Sequence, residues 1–321
     1  MSPKRRSGEK IFKSLLPIAL LLVVALAGVT GWIINRAVHP ACQPYLVTPA
    51  SFTEFSNRGL ITKDETWTNR DGTKARGWLL RGAPGAPAVI LLHRYGADRS
   101  FLLNLGVKLN ETTNFTILWP DLRGHGCDPP VKGSSFGTHE SADALAAIDY
   151  LRSLKTPQNQ PLVGKNIGLY GVELGSYIAL EAALQDESVS ALALDSVPAS
   201  ANDVLTDAVR SRTGMSNALW QKLAQVGMSI YTFGNYKDNP SCNIAARINN
   251  RRVLLLSGND AGKLRESTLA LAQCFGQQSS VEAKTDLPLS GYKQPAATGQ
   301  QGEAYDRPVI DFFDRSLRVE R

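Results

Sequence analysis

A chain of 321 residues, 43% hydrophobic and 20% charged, can bury a sizeable core and is excluded from the disordered class. The length suits one large α/β domain as well as two small ones. The formal net charge of +6 gathers in the head "MSPKRRSGEKIFK", where Lys4, Arg5, Arg6, Lys10 and Lys13 face Glu9 alone; no basic stripe with interleaved aromatic residues points to nucleic acid.

After this basic tail (1–13) comes "SLLPIALLLVVALAGVTGWIIN", uncharged over 14–35 and long enough to cross a bilayer as one helix. Pro17 sits in its first turn, where proline is tolerated. The alternative is a cleaved signal peptide, but no A-x-A-like site follows before Pro40 and no lipoprotein box precedes Cys42. A retained anchor in the cell membrane is therefore expected. The basic residues before the span place the N-terminus in the cytoplasm and the chain from about Arg36 onward outside it.

A linker rich in proline and polar residues (36–60) leads to the main domain (61–321). "ETWTNRDGTKARGWLLRG" reads as two strands about a turn at Asp71 and Gly72, and "APAVILLH" as a strand buried on both faces. A helix over Phe101 to Leu109, strand "FTILWPD" and helix "ESADALAAIDYLRSL" follow, with Thr138 or Ser141 as candidate caps. Next come strand "IGLYG", helix "SYIALEAAL", strand "ALALDS", a helical insertion, strand "RVLLLSG", a helix, and the final helix "EAYDRPVIDFFDRSL". This alternation predicts a doubly wound, mainly parallel sheet with a helical cap at about 201–236.

The cysteines Cys42, Cys127, Cys242 and Cys274 form no C-x-x-C pair, which argues against a zinc or thioredoxin-type centre. Three pairings are open. Cys242 and Cys274 flank one strand-helix unit, which favours a bridge between them among these pairings; four free buried thiols are an equal alternative. The glycosylation patterns at Asn110 and Asn114 are short enough to arise by chance.

Four stretches, in order, carry a family resemblance: "LLHRYGADRS", "WPDLRGHG", "LYGVELGSY" and "LLLSGND". Together they resemble the α/β-hydrolase superfamily, in its esterase and serine aminopeptidase-like branch, from about Glu65 to Leu317. The resemblance implies a nucleophile at the G-x-S-x-G elbow, which here reads Gly-Val-Glu-Leu-Gly and puts Glu173 at the nucleophile position. A carboxylate cannot form an acyl-enzyme as a serine hydroxyl does. Ser176, one turn on, lies inside the helix.

The resemblance also implies a histidine base before the last helix, yet "LPLSGYKQPAATGQQGE" has none. His39, His93, His125 and His139 are all in the first half. His93 and His125 match family positions whose role is structural. The acid position falls on Ala261, with Asp260 one place early. In the oxyanion loop Arg94 stands where a glycine is usual, beside Tyr95, with Leu174 following the elbow. A buried Arg94 to Glu173 ion pair is expected from this; the alternative leaves both in an open cleft.

No cofactor and no metal are implied. The expected function is that of a membrane-anchored pseudohydrolase binding an unknown small molecule or protein in the former active-site cleft. The alternative is an ester- or peptide-cleaving hydrolase that uses Glu173 with an unconventional base such as Lys293 or His125.

Overall fold

The computed structural model describes residues 4–51, 62–292 and 300–318. Eight strands form one sheet: β1 (Thr62–Thr68), β2 (Lys74–Leu80), β3 (Ala86–Leu92), β4 (Thr116–Pro120), β5 (Val163–Val172), β6 (Val189–Asp195), β7 (Arg252–Gly258) and β8 (Ser280–Leu287). Their order is β1-β2-β4-β3-β5-β6-β7-β8. β2 runs antiparallel to both β1 and β4, and every other pairing is parallel.

The long helices are α1 (Lys4–Val38), α2 (Leu103–Thr113), α3 (Glu140–Ser153), α4 (Leu174–Gln185), α5 (Ala201–Thr213), α6 (Ala218–Tyr231), α8 (Lys263–Leu271) and α9 (Gln300–Leu317), with a short α7 (Ser241–Ala245). The apolar runs are strands because both faces are covered by helices. Along β3, Ala88, Ile90 and Leu92 join the core beneath α3 and α4, while Val89 and Leu91 join the core beneath α2 and α9.

The expected elements are present, with three differences. The strand β8 was not expected; its residues are mostly exposed or half-buried and show no apolar run. The helix expected from Phe101 begins with a 3-10 turn, Arg99–Leu102, and becomes α-helical at Leu103. Neither Thr138 nor Ser141 caps α3: its N-cap is His139, without a side-chain bond, and Ser141 lies inside the helix. The buried Glu140 carboxylate instead collects the Ser134 hydroxyl and the Ser135 and Gly137 amides, ordering the approach to the helix.

The helix α1 contains one segment, Leu15–Val38, long and apolar enough to span a membrane. It continues past residue 35, and its last turns are built into the domain. Ile33, Ile34, Ala37 and Val38 are buried, and the Val38 carbonyl accepts the Ser134 amide. The helices α5 and α6, inserted between β6 and β7, pack on this part of α1. At Gly227 the two backbones meet so closely that a Cβ would lie 2.5 Å from the Ile34 side chain.

The bridge Cys242–Cys274 is formed, as favoured, and Cys42–Cys127 closes the second pair. The latter ties the segment after α1 to the loop after β4. Tyr45 packs edge-on against Trp78 from that same segment. Residues 52–61 of the expected linker lie outside the described residues.

Candidate functional site

At the carboxyl edge of the sheet the chain turns from β5 into α4 through Glu173, a non-glycine residue at φ 49°, ψ −109°. Such a conformation costs on the order of 1–3 kcal/mol and persists only where neighbours over-determine it. Here the flanking glycines allow it: a Cβ on Gly171 would lie 2.3 Å from the Gly175 carbonyl oxygen, and one on Gly175 would lie 2.1 Å from that of Leu92. The turn is thus a sharp elbow between two backbones in contact.

The Glu173 side chain folds inward and is 5% exposed. Its Oε2 accepts the Tyr95 amide at 2.8 Å and the Leu174 amide at 3.2 Å. One donor comes from the loop after β3 and the other from the residue after the elbow. In the family resembled, amides at these two places stabilise the oxyanion. The carboxylate thus takes up both of these amides. Burial pushes its pKa up to about 7, against the lowering effect of the two amides and of Arg94.

The expected Arg94 to Glu173 ion pair is not formed. The Arg94 guanidinium instead lies 4.7 Å from the Tyr292 ring centroid and 5.1 Å from that of Phe101, and it donates to its neighbour's carbonyl, that of Tyr95. The physical reason is that Glu173 already has two amide donors, while the two aromatic faces offer a cation a favourable place. Arg94 acts on Glu173 only as a nearby charge.

The remaining candidates are otherwise engaged. Ser176 donates its hydroxyl to the Glu173 carbonyl at 2.6 Å and is fully buried. His93 accepts the Leu122 amide at Nε2, so Nδ1 carries the proton and donates to the Arg94 carbonyl. His125 is bonded at Nδ1 to the Arg123 carbonyl, its ring 5.3 Å from those of His93 and Tyr95. Burial lowers the pKa of both histidines, so they are held neutral. Lys293 lies outside the described residues.

Asp260 stands in the 3-10 turn after β7, and Ala261 follows it in that turn. It accepts the Ser290 amide at 2.7 Å and the Ser290 hydroxyl at 3.0 Å. A carboxylate is therefore present at the acid's edge of the sheet, but its partner is a serine in the loop where the resemblance places the histidine. One residue on, Gly291 donates to Asp195 at 3.0 Å.

Asp195 was not singled out from the sequence. It ends β6 fully buried, accepts the hydroxyls of Ser196 and Tyr305, and through Tyr305 connects to Tyr170 at 2.6 Å. Burial pushes its pKa up to about 6, while these donors oppose the rise. Its sequence signal was an acid closing the apolar run "ALALD", where burial and the carboxyl edge coincide. The Glu173 amide donates to the Asp195 carbonyl at 3.0 Å, joining the two acidic positions through the backbone.

The end of α1 covers this edge. The hydroxyl of Tyr95, the residue whose amide holds Glu173, donates to the Ala37 carbonyl at 2.5 Å. Among the described residues, larger cavities lie elsewhere: about 580 Å³ between α1 and α6, and about 780 Å³ at the amino edge around Gly164 and Leu317. Neither is lined by Glu173 or Arg94. No cluster of three or more His, Cys, Asp or Glu among the described residues could hold a metal.

No family model matches the chain, and no curated protein matches it in sequence. Solved structures do match. An esterase from Pyrococcus furiosus superposes with a TM-score of 0.64 at 18% identity, covering 87% of this chain and 98% of its own. A thermophilic esterase from Thermogutta terrifontis gives a TM-score of 0.54 at 17% identity, over 79% of this chain and 99% of its own. A dienelactone hydrolase from Anabaena variabilis gives 0.51 at 15% identity, over 80% and 99%. With this strand order, the elbow after β5 and these neighbours, the fold of this chain is that of the α/β hydrolases.

Proposed function

We propose that the protein is a membrane-anchored pseudohydrolase, an α/β-hydrolase fold that has given up serine-hydrolase chemistry and works by binding. The observation that carries this reading is the Glu173 carboxylate seated on the Tyr95 and Leu174 amides. Acyl transfer needs those two donors free for the tetrahedral oxyanion, and an anion already there repels a second one. The pairing of Asp260 with Ser290 supports the same conclusion, since this loop contains no histidine to serve as the base. A small molecule or protein partner at this edge would meet Arg94, Tyr292 and the last turn of α1 before it met Glu173.

The anchor reading rests on the apolar segment Leu15–Val38 and the basic residues ahead of it, which favour a cytoplasmic N-terminus. Two disulfides in the domain suit an oxidising, extracytoplasmic compartment.

The test is a fluorophosphonate probe and a panel of nitrophenyl esters applied to the full chain in detergent micelles. The expected result is neither labelling nor hydrolysis above buffer. Ester hydrolysis that disappears in Glu173→Gln would overturn the reading and make Glu173 a catalytic carboxylate.

A further inference from the structure

The cap helix α6 carries apolar residues that the domain does not bury. Leu219, Val226 and Ile230 are more than half exposed, and Phe233, just beyond the helix, is 93% exposed. With the partly covered Leu223 they recur at spacings of four, three, four and three residues, which lines them along one stripe. The opposite face, Ala224, Gly227 and Met228, is buried. The stripe is therefore in excess of what folding uses, and such a patch in water is a liability unless something apolar meets it.

The position of α6 along α1 identifies what meets it. A Cβ on Gly227 would touch Thr30 and Ile34, so the two helices cross near the end of the apolar segment. At the same level Trp32 is 44% exposed, with the Arg36 guanidinium 5.9 Å from its ring. An exposed tryptophan and an arginine at one end of an apolar span mark the boundary between hydrocarbon and headgroups. Counting about 20 residues from Leu15 reaches the same turn, where a helical span leaves the hydrocarbon. The groove of about 580 Å³ between the helices has one wall from Val23, Leu26 and Ala27 of the span and the other from Leu223, Val226 and Ile230.

From this continuity we infer that α6 is a second membrane contact: its apolar stripe lies in the outer boundary of the bilayer and lipid acyl chains fill its groove with α1. This inference rests on the reading of α1 as the anchor. A helix that exposes an apolar stripe while its other face packs on the domain can lie in that boundary without spanning the bilayer, and the exposed Lys222 suits the lipid phosphates. The domain would then be held flat by two attachments. Because α5 and α6 pack together over the end of α1, the covered elbow edge would face the membrane surface.

The experiment uses the full chain in vesicles of equal parts phosphatidylcholine and phosphatidylglycerol, with or without bromine on the acyl chains. Single cysteines are added as Leu21→Cys on α1, Val226→Cys and Ile230→Cys on α6, and Lys284→Cys on β8, and each is labelled with bimane. The four native cysteines are bridged and do not react. Brominated lipid is expected to quench the labels at 21, 226 and 230 by roughly half or more, leaving the one at 284 bright. Aqueous iodide should do the reverse. Lipid quenching at 21 with iodide quenching at 226 and 230 overturns the inference and leaves the anchor standing. Labels at 226 and 230 hidden from both quenchers mean that a second copy or another protein covers α6, which also overturns it. Absence of lipid quenching at 21 removes the anchor itself.

Discussion

The elbow between β5 and α4 has a strained backbone for a side chain that faces inward, whereas the described start of the loop after β8 (288–292) has no residue at positive φ and is held by carboxylates from two other strands' ends. At the elbow, Glu173 retains the positive φ and the two glycine contacts that would present a nucleophile, yet its carboxylate closes on the amides beside it. At the loop, Asp260 and Asp195 hold Ser290 and Gly291 where a base would be needed. Packing preserves the first, because the strand and helix cannot approach otherwise. Hydrogen bonds to Asp260 and Asp195 hold the second, together with packing on Gly258, where a Cβ would lie 2.3 Å from the Ser290 nitrogen.

Alanine at the two glycines would test that distinction with the largest expected effect. In Gly175→Ala the new methyl meets the Leu92 carbonyl oxygen at 2.1 Å, and neither backbone can yield. The expected loss is ~3 kcal/mol, seen as a fall in melting temperature of roughly 6–12 °C. In Gly291→Ala the methyl meets the Tyr305 hydroxyl at 2.4 Å and that of Tyr170 at 2.8 Å, so it presses on side-chain ends bonded to each other and to Asp195 rather than on backbone. A loss of about 1–2 kcal/mol is expected there. Equal losses would mean that the loop is as constrained as the elbow.

The charge on Glu173 makes a second separation. Its pKa is about 7 when folded and 4.5 in an unperturbed chain, so the folded state holds this proton more tightly. The associated stability is fully present below pH 4.5 and is lost as pH rises through 7, by roughly 3 kcal/mol in all. Asp195 and Asp143, raised by burial to about 6, give slopes of the same sign that end lower. Glu173→Gln can keep both amide bonds through its carbonyl oxygen without carrying a charge. Subtracting its stability curve from that of the unaltered protein should leave a decline between pH 4.5 and 8. A flat difference would mean that the carboxylate is solvated.

Asp260→Ala should matter less. Asp260 is only partly buried, but its removal leaves the amide and the hydroxyl of the fully buried Ser290 without this acceptor, for a cost of about 1–2 kcal/mol in thermal melting. A loss as large as that of Gly175→Ala would show that the loop after β8 nucleates this end of the sheet.

Much of this was legible in the sequence because it is written in apolar runs and glycines. The interior strands β3 to β7 are continuous apolar segments, and Gly-Val-Glu-Leu-Gly gives the elbow away through its flanking glycines. The edge strand β8 was not legible. Glu282, Lys284 and Asp286 alternate there with Val281, Ala283, Thr285 and Leu287 on a sheet margin, but the small Ala283 and the polar Thr285 weaken the alternation and no apolar run is present. The fate of Arg94 was not legible either: charge alone suggested Glu173, but the choice lay with Phe101 and Tyr292, rings brought to it from the turn before α2 and the loop after β8. The Cys42–Cys127 bridge joins residues 85 apart and follows from tertiary proximity alone.

The smallest expected effect comes from restoring the nucleophile. From charge pairing alone, Glu173→Ser should strand Arg94 and destabilise the fold. Since Arg94 is held by aromatic rings, that loss disappears. Removing a buried carboxyl with a pKa near 7 should leave stability at neutral pH within about 1 kcal/mol. The same substitution empties the Tyr95 and Leu174 amides and places a hydroxyl on a backbone already shaped to expose it. Even so, the single variant should not react with fluorophosphonate, because no histidine stands within reach to take its proton. Glu173→Ser with Ser290→His sets an imidazole next to Asp260, which already holds the residue at that position. Ser290 is fully buried, however, and the larger ring must displace its neighbours, so only slow labelling is expected, well below that of a working hydrolase. Rapid labelling of Glu173→Ser alone would mean that one of the buried histidines, His93 or His125, moves to serve the elbow. The loop after β8 would then have no bearing on reactivity at the elbow, and the residue at position 173 alone would decide it.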